Sequence, residues 1–431
     1  MLKSRILTAL AAVAICSGTL SAENWPSWRG PQGNGVSAEK GLPVTWGPDQ
    51  NIAWKVELPG PAGATPVVWG EQVFLTSVNE AGDLLLICVG TDGRIQWQQT
   101  VSSGNRTARG DEGNSASPSP VTDGRHVWTF MGDGVLACYT TSGRQVWKIN
   151  VQDRYGEFRI QFGMSSTPVL EGGTLFLQLI HGDGNPETRE AVVAAIDGRT
   201  GDEVWKVGRP SDAERENEHS YASPVLYRDG DQRLLLTHGA DLIVAHNLSD
   251  GSEVWRSGGL NRRDDAVLPY DPTLRFVASP GVAPGIIVAP SAKRHPVLAI
   301  RPGGKGDITG SADHQMWNWD RTPDVPSPLI HDGLVYLCME NGNLTVLEQE
   351  SGKEVYSNAT HRQRHRASPV LADGRLYLTA RDGRITVVRA GREFEILAEN
   401  ELGEDQSASP AVSGGTLYLR TFGHLWAVRG K

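Results

Sequence analysis

His361 and His365 stand four residues apart, the spacing that sets two imidazoles on one helix face where they could share a zinc ion. Arg362, Arg364 and Arg366 interleave with them and no carboxylate is near, so the stretch reads instead as a solvated or anion-contacting loop. Gly303-Gly304-Lys305-Gly306-Asp307 has the composition of a phosphate-cradling loop but lacks the full spacing and a following helix. It is expected to be a flexible insertion in the sixth of the repeats described below. His-Glu-x-x-His, Cys-x-x-Cys and Gly-x-Ser-x-Gly are absent, which removes the common hydrolase signatures. What remains is a set of residues just ahead of a recurring Ser/Thr-Pro dipeptide: Asn114, Met164, His219, Tyr221, Arg275, Asp324, Arg366 and Gln406. Among these, His219, Tyr221, Arg275, Asp324 and Arg366, together with His365, are the candidates for touching a ligand or partner. Arginine forks suit carboxylates and other anions. Asp264, Asp265 and Asp324 are the acids that could instead hold Arg275 and Arg366 in salt bridges.

The dipeptide that orders these candidates recurs eight times, at Thr65-Pro66, Ser117-Pro118, Thr167-Pro168, Ser223-Pro224, Ser279-Pro280, Ser327-Pro328, Ser368-Pro369 and Ser409-Pro410. Its prolines are 52, 50, 56, 56, 48, 41 and 41 residues apart, the period of one four-stranded unit with variable loops. In the plainest unit, residues 368–372 form a strand, Asp373-Gly374 a turn, residues 375–380 an alternating strand and Asp382-Gly383 a second turn. Residues 385–388 and 394–397 then form two more strands. The Asp-Gly pairs are not calcium loops, because no spaced carboxylates and terminal Glu follow them.

A twisted four-stranded sheet cannot bury both faces alone, so the expected fold is all-β, an eight-bladed β-propeller of four-stranded antiparallel blades. Trp97, Trp147, Trp205, Trp255, then Trp317 or Trp319, Tyr356 and Phe394 fall on fourth strands and read as blade packing. The last repeat stops one strand short. Ile52-Ala53-Trp54-Lys55-Val56 has the fourth-strand pattern and is expected to complete the eighth blade, removing the open sheet edge. In a propeller the first strands line the axis, so the candidate residues should meet at one channel mouth, with long polar loops around it.

Residues 1–22, with Lys3 and Arg5 before an apolar run and small residues at the exit, read as a signal peptide. Residues 23–51 are then an extension packing on the propeller of residues 52–431. A lipid anchor on Cys16 is not expected, since bulky Ile15 precedes it. Without the leader, 39 basic side chains face 50 acidic ones, a net −11 that favours no nucleic-acid partner. Cys88, Cys138 and Cys338 lie in apolar runs, an odd and sparse set expected to be buried thiols rather than a disulfide framework.

With turns such as Ile196-Asp197-Gly198-Arg199-Thr200-Gly201 leading to Trp205, the chain resembles the pyrroloquinoline-quinone-like repeat family over residues 52–428. That family includes quinoprotein alcohol dehydrogenases and the propeller lipoprotein of the outer-membrane barrel-assembly machinery. The stretch Asn24-Trp25-Pro26-Ser27-Trp28-Arg29-Gly30-Pro31 resembles secreted bacterial members. The dehydrogenases hold their quinone with a vicinal cysteine pair, a Trp platform, a calcium ion on Glu and Asn, and an Asp base. No adjacent cysteines occur here, so no cofactor or metal is expected. Fold membership does not carry chemistry with it. The expected function is an exported, periplasmic or extracellular, monomeric and non-catalytic scaffold. It would bind a protein or cell-envelope polymer through the loops at one mouth. A quinoprotein-like oxidoreductase or carbohydrate-active propeller enzyme is the alternative reading.

Overall fold

The computed structural model describes residues 22–108, 113–181, 191–262 and 269–430. Residues 1–21 of the expected leader, Cys16 among them, and Arg263, Asp264 and Asp265 lie outside the described residues. Within them, eight sheets each carry four antiparallel strands in meander order. The first blade is Val67–Trp69, Gln72–Val78, Asp83–Gly90 and Ile95–Ser103. The seventh, the repeat read most plainly from sequence, is Val370–Ala372, Arg375–Thr379, Arg384–Arg389 and Ile396–Glu401. Inner strands are buried along nearly their whole length and outer strands alternate, so adjacent blades share apolar clusters across each seam.

Closure follows the expected route. Ile52–Glu57 pairs antiparallel with His424–Arg429, Trp54 opposite Ala427, and completes the eighth blade with Ala411–Ser413 and Thr416–Arg420.

The blades are joined by two repeating devices. The outer one uses the fourth-strand tryptophans. Trp54, Trp97, Trp147, Trp205 and Trp317 each donate from the indole N–H to a carbonyl in the next blade's last turn, at 2.8–2.9 Å. Each ring also lies on a glycine of that turn, Gly93, Gly143, Gly201, Gly251 or Gly352, all at positive φ. A Cβ there would sit 2.6–2.9 Å from the nearest ring atom. Trp255 is the exception: fully buried, with its indole nitrogen unpartnered. The turn it would dock on is replaced by the glycine-rich insertion, which sits in the fifth blade, between Val297–Ile300 and Gln315–Trp319, rather than in the sixth. Nor is it a loose excursion. Gly306–Asp307 pairs in parallel with the fourth blade's outer strand, Gly306 opposite Trp255. Phe394 likewise precedes its strand instead of lying on it, with its ring 5.6 Å from Tyr356.

The inner device is a ring of hydroxyls. The amide of each Ser or Thr before proline donates to the side-chain oxygen of the equivalent residue in the next blade: Thr65 to Ser119, then Thr167, Ser223, Ser279, Ser327, Ser368 and Ser409, at 2.8–3.0 Å. This ring corrects one register: in the second blade Ser119-Pro120 is the equivalent dipeptide, not Ser117-Pro118. At the closing seam Thr65 Oγ1 is buried and has no partner.

Residues 25–36 cross the axis on one side. Trp25 exchanges backbone bonds with Val68 of the first blade, and Thr122 of the second donates to the Pro26 carbonyl. Arg29 donates to carbonyls of Pro369 at 2.8 Å and Asn34 at 3.0 Å. Val36–Ser37 then adds in parallel to the seventh blade. Arg29 is only 6% exposed, and burial pulls its pKa down to about 10.

Candidate functional site

The channel opens opposite that crossing as a funnel of about 390 Å³. Trp28 forms part of its floor, the serine ring its wall, and residues ahead of the Ser/Thr-Pro dipeptides its mouth. Tyr221, Arg275, Asp324 and Arg366 line it, as do Asn114 and Met164. The structure thus brings these six residues to one funnel. His219, His365 and Gln406 are not in the lining. His219 is half-buried behind the mouth, and burial lowers its pKa, opposed by Glu216 and reinforced by His181 and Arg275. His365 is fully buried, its Nδ1 2.8 Å from the Gln363 carbonyl, and burial lowers its pKa too.

Among the described residues the two mouth arginines pair with Glu216 and Glu340, while the expected Asp264 and Asp265 lie outside those residues. Arg275 bridges to Glu216 at 2.9 Å and stacks 4.6 Å above the Phe162 ring. Arg366 lies 3.3 Å from Glu340, which Arg364 also approaches at 3.6 Å. Asp324, at φ +71°, instead accepts from the Lys293 amide at 3.0 Å. Phe162 belongs to the long loop after the second blade, and its amide donates to the Tyr221 hydroxyl at 3.2 Å. Carboxylate pairing at both arginines, with aromatic backing at Arg275, fixes the guanidinium forks at the funnel, where they can meet an anionic or amide-bearing partner. Phe162, Glu216, Glu340 and Trp28 escaped the sequence reading because none sits at the recurrent position.

His361 does not pair with His365 on a helix. Its Nε2 lies 2.7 Å from the Asp382 carboxylate. Among the described residues no group of three or more His, Cys, Asp and Glu side chains could hold a metal ion. Cys88, Cys138 and Cys338 are buried in the first, second and sixth blades, outside the funnel, and burial pushes each thiol up to about 12. These residues do not fit a quinone clasped by vicinal cysteines over a calcium ion. No described helix is long and apolar enough to cross a membrane.

The profile of a family described as outer membrane protein assembly factor BamB matches residues 34–176, 88–267 and 305–431. No curated protein matches. Among solved structures, BamB from Moraxella catarrhalis is 14% identical, with a TM-score of 0.61 over 87% of this chain and 99% of that one. A europium-containing methanol dehydrogenase is 12% identical, with a TM-score of 0.69 over 93% and 90%. The quinohemoprotein alcohol dehydrogenase from Comamonas testosteroni is 14% identical, with a TM-score of 0.63 over 95% and 81%. At such identities the likeness is one of fold.

Proposed function

The chain belongs to the BamB-described family of pyrroloquinoline-quinone-like repeat propellers, and from that premise we propose that it is an exported, non-catalytic scaffold. Its funnel mouth would bind a protein or cell-envelope polymer, without a cofactor and as a monomer. The observation that carries this reading is the mouth itself. Arg275 and Arg366 line one funnel on a rigid ring, each already oriented by a carboxylate. Orienting the forks in advance lowers the ordering cost of binding. The family's description as an assembly factor of the outer membrane agrees with an envelope location and a partner-binding role. The described lining of the funnel supplies hydroxyls, aromatic rings and fixed charges, groups suited to recognition.

The experiment is affinity capture from native cell envelopes with the wild type and the Arg275→Ala/Arg366→Ala double variant. Both arginines are in partly exposed ion pairs, so each replacement should cost about 1 kcal/mol or less. Loss of the captured partner from a variant that stays folded is the expected result. A strongly destabilised variant that keeps its partner would make the arginines structural and sink the reading.

A further inference from the structure

The funnel continues sideways into a groove of about 710 Å³ between the fifth and sixth blades, the two sharing Lys293, Asp324 and Glu340 as lining. The groove in turn meets a cleft of about 510 Å³ between the fourth and fifth blades at Asp320. Together they make a trough running outward from the axis, a shape for a chain rather than a compact ligand.

One residue in the groove is only partly used by the fold: Trp319 rests against the apolar cluster between the fifth and sixth blades and still lines the groove. Side chains two apart on a strand project alike, so Trp319 shares with Trp317 the face turned to the sixth blade. Trp317 makes the blade-docking contact, with its indole on the Gln349 carbonyl and its ring on Gly352. Trp319 is a second, half-buried ring beside this contact, and its indole N–H bonds to no described residue. Across from it stand the cross-strand hydroxyl pair Thr345 and Ser357, oxygens 2.9 Å apart, and the side-chain amide of Asn343, which bonds to no described residue. Arg294, Arg321, Asp320 and Glu354 are exposed at the groove and form no ion pair among the described residues. Over the whole lining three bases (Lys293, Arg294 and Arg321) face four acids (Asp320, Asp324, Glu340 and Glu354), so the groove is within one charge of balance.

An aromatic face set among amide, hydroxyl and unpaired charged groups matches the surface of a sugar ring: apolar C–H on one side, hydroxyls that both donate and accept around the edge. Near-balanced charge fits a neutral polymer better than an acidic one. We propose that the groove between the fifth and sixth blades binds a neutral polysaccharide chain, with one pyranose ring stacked on Trp319. This deepens the reading of the mouth face as the binding face and rests on it.

The test is affinity electrophoresis through gels containing a mixed-linkage β-glucan, a galactomannan or a linear α-glucan, with dextran sulfate as the charged control. At least one neutral polymer should retard the wild type. Trp319→Ala should weaken that retardation by roughly ten-fold or more, and Trp319→Phe should keep part of it. Arg321→Ala, at an exposed position, should weaken it with no change in melting temperature, which keeps the test decisive if Trp319→Ala folds poorly. The Arg275→Ala/Arg366→Ala variant should be retarded like the wild type. The proposal falls if no neutral polymer retards the protein, if only dextran sulfate does, or if Trp319→Ala and Arg321→Ala behave as wild type. It falls equally if an envelope protein proves to cross-link into the groove. None of these outcomes changes what the double arginine variant does in envelope capture, so the two ideas fail separately.

Discussion

Arg29, which precedes the first blade, donates a 2.8 Å hydrogen bond to the carbonyl of Pro369 in the seventh. The charge is buried with carbonyl partners and pairs with no carboxylate among the described residues, at a desolvation cost visible in its lowered pKa. A planar fork can serve several carbonyls at once; an ammonium cannot. Arg29→Lys therefore keeps the buried charge and loses most of its bonds, and should destabilise by about 2–3 kcal/mol. Arg29→Met removes charge and bonds together and should cost roughly half as much. Denaturant midpoints for the pair check the order, and a lysine variant as stable as wild type would contradict it.

Glycines under the docked tryptophans should be irreplaceable in a graded way. Gly143→Ala adds strain at φ +89° and a Cβ 2.8 Å from the Trp97 ring, for an expected loss of about 2–4 kcal/mol. Gly306→Ala, at φ +70° with nothing within 4 Å, should cost only the backbone strain, about 1 kcal/mol. Thermal melts of the two variants should differ by several degrees.

The hydroxyl ring predicts opposite effects at two equivalent positions. Ser223 accepts the Thr167 amide at 2.9 Å, so Ser223→Ala strands a buried N–H and should cost about 1–3 kcal/mol. Thr65 Oγ1 bonds to nothing. Thr65→Val removes an unsatisfied hydroxyl with little change of shape and should be neutral or stabilising. Equal losses at both positions would show that the ring does not act as described.

Acid should weaken the fourth blade. Burial pulls His238 down to about 3 and His246 to about 4, and nearby Arg209 adds to both shifts. In the orientation its partners favour, His246 Nδ1 donates to the Gly251 carbonyl and Nε2 accepts from Thr237, each at 3.0 Å. Above pH 6.5 the imidazoles are neutral folded or unfolded. As pH falls from there towards 4, only the unfolded chain takes up protons, so stability drops by about 1–2 kcal/mol per histidine between pH 7 and 5. His246→Asn should flatten that slope in urea titrations at the two pH values; an unchanged slope would count against a buried neutral imidazole.

Much of the ring could be read from local chemistry. Asp-Gly turns, Ser/Thr-Pro dipeptides and fourth-strand tryptophans each serve one blade and its neighbour, so their spacing survives in one dimension. The Ser117-Pro118-Ser119-Pro120 run offered two registers, and only the hydroxyl contacts across blades choose between them. Glu216 and Glu340 were illegible for a related reason: they reach Arg275 and Arg366 from 59 and 26 positions away, a distance no pattern encodes. Trp28 and Arg29 lie in a stretch without periodicity, and their place at the axis depends on where distant blades end up, such as the seventh, which supplies the Pro369 carbonyl. Trp319 was visible, but only as a rival to Trp317 for one packing role.

Closure between Ile52–Glu57 and His424–Arg429 also sets a clock. A ribosome makes the first of these strands about 370 residues before the second, and contacts so remote in sequence form slowly. The nascent chain must therefore hold Ile52–Glu57 unpaired until His424–Arg429 exists. A chain cut short by even one strand carries two naked sheet edges, the feature that promotes aggregation. The finished ring thus certifies that synthesis has passed its closing strand, and copies that stop before it announce themselves by sticking.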